Sequence, residues 1–136
     1  MMNMVMEYRT PTVAEYQKLR NAAGWEPLPD EMVETGLNTT LFSSCVLNEG
    51  KLIGTGRVIG DGAMYFYVQD VIVLPQFQGK GVGMRIMNAI ETYLNKNARK
   101  NAFIGLMAAE DVSGFYRKFN YMLRPDSRPG MYKTMK

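Results

Sequence analysis

The 136-residue chain has no histidine. That absence removes a Ser-His-Asp triad, a Cys-His pair and every zinc site built on imidazole, and with them much hydrolase chemistry. Cysteine is nearly missing as well. Cys45 stands alone, so no internal disulfide forms; this fits a reducing compartment, and the residue is expected as a small buried core group. No apolar run reaches the roughly 18 residues that span a bilayer, and Met1 to Thr10 lacks the basic-then-apolar order of a secretory leader. The expectation is a cytoplasmic protein with no membrane partner, and no metal site is indicated.

The excess of either charge is small too, with 16 Lys and Arg against 13 Asp and Glu. The net charge is +3 with no dense Lys/Arg block, so nothing marks a nucleic-acid face, while an anionic ligand remains compatible. Hydrophobic residues make up 46% of the chain, enough for a packed core, and the length suits a single domain over residues 1–136.

Periodicity supplies the elements. Met4 to Tyr8 reads as an opening strand. Thr12 caps a helix carrying Val13, Tyr16, Leu19 and Ala23 on one side, and Gly24 ends it. After the loop around Trp25, Pro27 and Pro29, Asp30 suits the cap of a short helix to about Leu37. Three β-rich runs follow, Leu41 to Leu47, Leu52 to Ile59 and Met64 to Leu74, separated by two glycine-bearing turns, which is the pattern of an antiparallel meander. A helix from about Gly81 to Asn97 presents Val82, Ile86, Ala89, Ile90, Tyr93 and Leu94 on one stripe. Phe103 to Ala108 reads as a strand, Asp111 caps a short helix from Val112 to Phe119, and Met131 to Met135 forms a last strand. Strands in succession, then strand, helix, strand, helix, predict a mixed α/β sheet.

The junction Gln78-Gly79-Lys80-Gly81-Val82-Gly83 joins a buried strand to the long helix. Backbone N–H groups at a helix start lack partners within the helix, and the helix dipole adds to their pull on a phosphate. A Walker loop needs Ser or Thr after its Gly-Lys, but Gly81 follows Lys80; a dinucleotide fingerprint needs glycine at the position of Met84. Both readings fail. By local physics alone the segment could also be an ordinary turn feeding a helix.

What remains is [Gln/Arg]-x-x-Gly-x-[Gly/Ala], satisfied by Gln78, Gly81 and Gly83. About 35 residues on, Phe115-Tyr116-Arg117-Lys118-Phe119-Asn120-Tyr121 is similar to Phe-Tyr-x-Lys-x-Gly-Phe. On these motifs the chain resembles the GNAT superfamily of N-acetyltransferases over most of its length. The resemblance implies a mixed sheet of six to seven strands with an antiparallel N-terminal meander and a splayed parallel strand pair, flanked by about four helices. It implies acetyl-CoA as donor, held by the backbone of Val71, Ile72 and Val73 and by Gln78, Gly79, Lys80, Gly81, Val82, Gly83 and Met84. Two departures stand out. Ala109 replaces an Asn that contacts the cofactor in many relatives. Asn120 replaces a helix-ending glycine, which Asn can mimic in a left-handed cap.

The implied reaction is acetyl transfer to a primary amine. An alkylamine with a pKa of about 10.4 is protonated at neutral pH, so the attack needs a proton acceptor, and without histidine the candidates are carboxylates. Asp70 is the first, as base or as ammonium-binding group, with Glu110 second; Asp70 could equally accept hydrogen bonds near a bulge. Tyr116 occupies the family position that donates a proton to the departing sulfur; by spacing alone it could be core packing. Trp25, near several carboxylates, is a candidate wall for a cationic small-molecule amine, or a staple of the two helices to the core. A protein or peptide amine and a non-catalytic acyl-CoA-binding role are the alternatives. A homodimer formed through the C-terminal strand is compatible with the sequence.

Overall fold

A computed structural model describes residues 3–109 and 112–136. Its contacts divide the chain into a unit reaching to Leu106 and a second from Met107 to Lys136. The first unit holds a five-stranded sheet: β1 (Met4–Glu7), β2 (Phe42–Asn48), β3 (Lys51–Gly60), β4 (Tyr65–Val73) and β5 (Phe103–Gly105), paired in that order. The first four run antiparallel to their neighbours, and β5 lies parallel to β4. The meander and the parallel pair follow expectation. The strand count does not, since five strands are found among the described residues rather than six to seven. Residues 131–136 form no ladder. A segment makes a strand only where another strand supplies hydrogen bonds, and the Met131 to Met135 segment has no such partner among the described residues. β5 stops at Gly105, short of the expected Ala108, because its pairing with β4 ends at Tyr67↔Gly105.

Helices α1 (Val13–Ala22), α2 (Asp30–Asn38) and α3 (Val82–Asn97) complete this unit. Thr12 caps α1 in a reciprocal box with Glu15, each side chain bonded to the other's backbone N–H. Asp30 is not a cap. Pro29 holds that position, and Asp30 is the first helical residue, where its charge still faces the positive end of the dipole. On one sheet face, Tyr16, Val33 and Leu37 form a cluster joining α1 to α2. On the other lies α3, burying Val82, Ile86, Met87, Ile90 and Leu94, while Tyr93 stacks on Phe42 with ring centroids 4.8 Å apart. The close approach of α3 depends on two glycines of β3. A Cβ on Gly54 would lie 2.9 Å from Val82 Cγ1, and one on Gly56 would lie 2.6 Å from Ile86 Cγ2.

In the second unit, α4 (Ser113–Arg117) is shorter than the predicted Val112 to Phe119. Asp111, its expected cap, lies outside the described residues. Asn120 adopts φ 70°, and the N–H groups of Asn120 and Tyr121 reach back to the carbonyls of Arg117 and Tyr116. This left-handed closure is the one glycine would have given.

Candidate active site

The β4–β5 ladder runs only from Tyr65↔Phe103 to Tyr67↔Gly105. From Val68 to Val73, β4 keeps β3 on one side and has no strand on the other among the described residues. Val71, Ile72 and Val73 therefore present a backbone edge able to pair with an extended ligand, as a missing strand would. Beyond this edge Leu74 returns to the sheet by donating to Ile53 O at 2.8 Å. A single 3-10 turn, Pro75–Phe77, then leads into the glycine loop. Gln78 ties the two features together, its Nε2 donating to Val73 O at 3.1 Å.

Gly79 and Gly81 have φ of 74° and 82°, values that strain any residue with a Cβ. A Cβ built on either meets nothing within 4 Å. The loop thus faces open space, and among the described residues no side chain caps the start of α3, where Val82, Gly83 and Met84 form the first turn. Lys80 is exposed beside it. An elongated cofactor with a polyanionic centre fits both parts: an edge for its amide-bearing arm and a left-handed loop with helix-start N–H groups for its phosphates.

A family model described as an acetyltransferase (GNAT) domain matches residues 41–123, which include β2 to α4 and the glycine loop. The chain belongs to the GNAT acetyltransferase family. GNAT proteins use acetyl-CoA as acetyl donor, and the edge and loop just described are the residues that fit it. Among solved structures, a protein of unknown function from meticillin-resistant Staphylococcus aureus, named a probable acetyltransferase, is 34% identical and superposes with a TM-score of 0.92, covering 98% of this chain and 100% of that one. A GNAT family acetyltransferase from Streptococcus pneumoniae is 25% identical with a TM-score of 0.78, covering 98% of each chain. Among curated proteins, the chloroplastic serotonin N-acetyltransferase 2 of rice is 34% identical over 91 residues, 67% of this chain and 44% of its own length. No helix among the described residues is long and apolar enough to cross a membrane.

The remaining predicted site residues fall in different places. Asp70 sits inside β4 with its side chain 2% exposed. Its Oδ2 accepts from Arg57 Nε at 2.7 Å and from the Tyr16 hydroxyl at 3.0 Å, and its Oδ1 accepts from Gln69 Nε2 at 3.2 Å. The bulge reading describes this environment, for β4 does bulge here. Gly54↔Val73 and Thr55↔Ile72 give way to Arg57↔Gln69, so Gly56 alone faces Asp70 and Val71. Burial and the nearby Asp70 carboxylate push the Tyr16 phenol above its ordinary pKa, so Tyr16 remains a donor to Asp70 at neutral pH.

Trp25 already carries a cation. The Arg20 guanidinium lies 5.4 Å from its ring centroid, and Arg20 also donates to Glu26 O and to the Tyr16 hydroxyl. Trp25 and Asp70 are thereby linked through Arg20 and Tyr16, a connection the sequence did not reveal. Glu110 lies outside the described residues. Tyr116 belongs to the second unit, is 9% exposed, and packs its ring edge-on to Phe115 at 5.1 Å. Burial raises its phenol pKa, so its hydroxyl holds a proton at neutral pH, as a donor must.

Sequence reading missed Arg57, Tyr16 and Gln69 as partners of Asp70, and Gly54 and Gly56 as the seat of α3. Two signals were present. Arg57 is the one charged residue in the otherwise apolar or small run Leu52 to Ile59, and Gly54-Thr55-Gly56 places two glycines on the same face of that strand.

Proposed function

We propose that the protein transfers the acetyl group of acetyl-CoA to the primary amine of a small molecule. The observation that carries this reading is the pairing of an unladdered β4 edge with an open, left-handed glycine loop at the start of α3. When bound, acetyl-CoA supplies an activated acetyl thioester. Backbone groups of Val71, Ile72 and Val73 bind the extended arm, and the N–H groups of residues 79–83 bind the phosphates. Tyr116 holds a proton at its hydroxyl for the departing sulfur.

The proton of the incoming amine goes to a carboxylate, directly or through water. Asp70 is an unfavourable acceptor because both its oxygens are engaged by neighbouring donors and its side chain is almost wholly shielded from solvent. We therefore assign that step to Glu110. The α1–α2 loop around Trp25 forms the acceptor side, with Trp25 contributing its face and Arg20 already occupying the cationic position. This favours an aromatic or neutral acceptor body over a polycation. Serotonin, the substrate in the name of the rice relative, belongs to that class. A cytoplasmic location goes with this reading, as does the lone buried Cys45.

Release of CoA thiol is followed over a panel of arylalkylamines, polyamines, amino sugars and lysine peptides. Amine-dependent release favouring arylalkylamines supports the proposal, and release with peptides alone transfers the activity to protein substrates. CoA binding without release by any amine leaves an acyl-CoA-binding module and refutes the catalytic reading. Tyr116→Phe is expected to lower turnover by about 10²-fold, the lower end for loss of a general acid, with CoA affinity nearly unchanged. Equal turnover removes Tyr116 from the mechanism.

A further inference from the structure

We propose that Arg57 and Tyr16 are positioning residues that lock Asp70 in a left-handed kink, and that this kink turns the backbone of Val71 to Val73 toward the cofactor. The inference rests on the reading that this strand edge binds CoA.

Four described residues other than glycine have positive φ. Glu49 lies in the turn between β2 and β3, Asn101 in the turn before β5, and Asn120 at the end of α4. Asp70 alone lies inside a strand, with φ 57°. A residue bearing a Cβ occupies that region only when its surroundings compensate. The compensation is visible. Arg57 Nε donates to Asp70 Oδ2 at 2.7 Å, and the same oxygen accepts from the Tyr16 hydroxyl at 3.0 Å. Arg57 is itself fixed, its Nη1 donating to Thr40 Oγ1 at 3.0 Å and to Gly36 O at 3.3 Å. The clamp therefore ties β4 to β3, α1 and the end of α2.

The kink makes two residues of β4 oppose one of β3, which bends a strand and re-aims the groups beyond it. The β4–β5 ladder has ended by Gly105, opposite Tyr67, and the residues after the kink are those proposed to hold CoA. A carboxylate used as a base needs access to an amine; one used as a clamp needs burial and tight partners. Asp70 has the latter.

The two roles separate by substitution. Glycine visits the left-handed region freely, so Asp70→Gly keeps the kink without the clamp, whereas Asp70→Ala does not. Full-length variants are compared by calorimetry with CoA and by backbone NMR shifts of residues 70–73, after thermal melting confirms folding. Asp70→Gly is expected to bind CoA within about threefold of wild type, and Asp70→Ala about tenfold more weakly, the affinity equivalent of the left-handed penalty. Arg57→Met alone should weaken binding about as much as Asp70→Ala, but add little in the Asp70→Gly background, because the clamp is then redundant. Equal losses for Gly and Ala, or wild-type shifts and affinity in Asp70→Ala, would overturn the clamp. If the wild type binds no CoA, the cofactor reading fails instead. The NMR shifts still decide the clamp: backbone shifts at residues 71–73 retained in Asp70→Gly and displaced in Asp70→Ala support it, and any other pattern ends it.

Discussion

Gly56→Ala adds one methyl group where α3 rests on β3. The new Cβ would lie 2.6 Å from Ile86 Cγ2, 3.1 Å from Ile90 Cδ1 and 3.3 Å from Val71 Cγ2. The first distance is shorter than real Cβ contacts tolerate, and both isoleucines are fully buried, so neither can swing into solvent. The helix must lift or the strand must shift. Overpacking of this kind costs about 1–3 kcal/mol, which at this chain length lowers Tm by about 4–12 °C. Gly36→Ala is the matched control. It adds the same methyl within α2, where a Cβ meets nothing within 4 Å, and should stabilise by about 0.5–1 kcal/mol through helix propensity. Calorimetric melting of the two variants should therefore give shifts of opposite sign. Because α3 begins at the glycine loop proposed to hold the cofactor phosphates, Gly56→Ala should also weaken CoA binding. A Gly56→Ala protein that melts at or above the wild-type temperature would refute the argument that these glycines set the seat of α3.

Glu15 carries a hydrogen bond and ion pair to Arg9 Nη1 at 2.9 Å, and these hold its carboxyl below the ordinary value of 4.5. A carboxyl depressed in the folded state stabilises above its unfolded pKa, and that contribution is lost as pH falls through the folded value. Melting of wild type and Glu15→Gln should thus differ at pH 6 and converge as the pH falls through the folded value and the wild-type advantage disappears; a constant gap would rule out the ion pair as its source. Ser44 is fully buried, and its Oγ has no hydrogen-bond partner among the described residues. Ser44→Ala removes that unsatisfied hydroxyl and should raise stability by about 1 kcal/mol, so a lower Tm in chemical or thermal unfolding counts against it.

Elements governed by local physics were legible in the order of the residues. Thr12 is legible as the cap of α1 from its residue type and its place just before the apolar stripe. Gly79 and Gly81 take a left-handed backbone that only glycine bears without strain, and Asn120 could be named as the substitute for glycine. The apolar stripe of α3 follows from a period of 3.6. These signals act over a few residues, so the order of residues contains them.

Features that depend on distant partners emerge only on folding. Met131 to Met135 is expected as a strand yet joins no ladder among the described residues, because a ladder requires a second strand. Asp30 could be a cap by type, but the course of the preceding chain gives that place to Pro29. Asp70 shows the difference most clearly. Its position next to the segment proposed to bind the cofactor suggested a base, and only folding places Tyr16, 54 residues earlier, and Arg57, 13 residues earlier, on the same carboxylate oxygen. A carboxyl group has the same chemistry wherever it occurs in the sequence; burial and the donors brought against it decide whether it takes a proton or holds a strand in place.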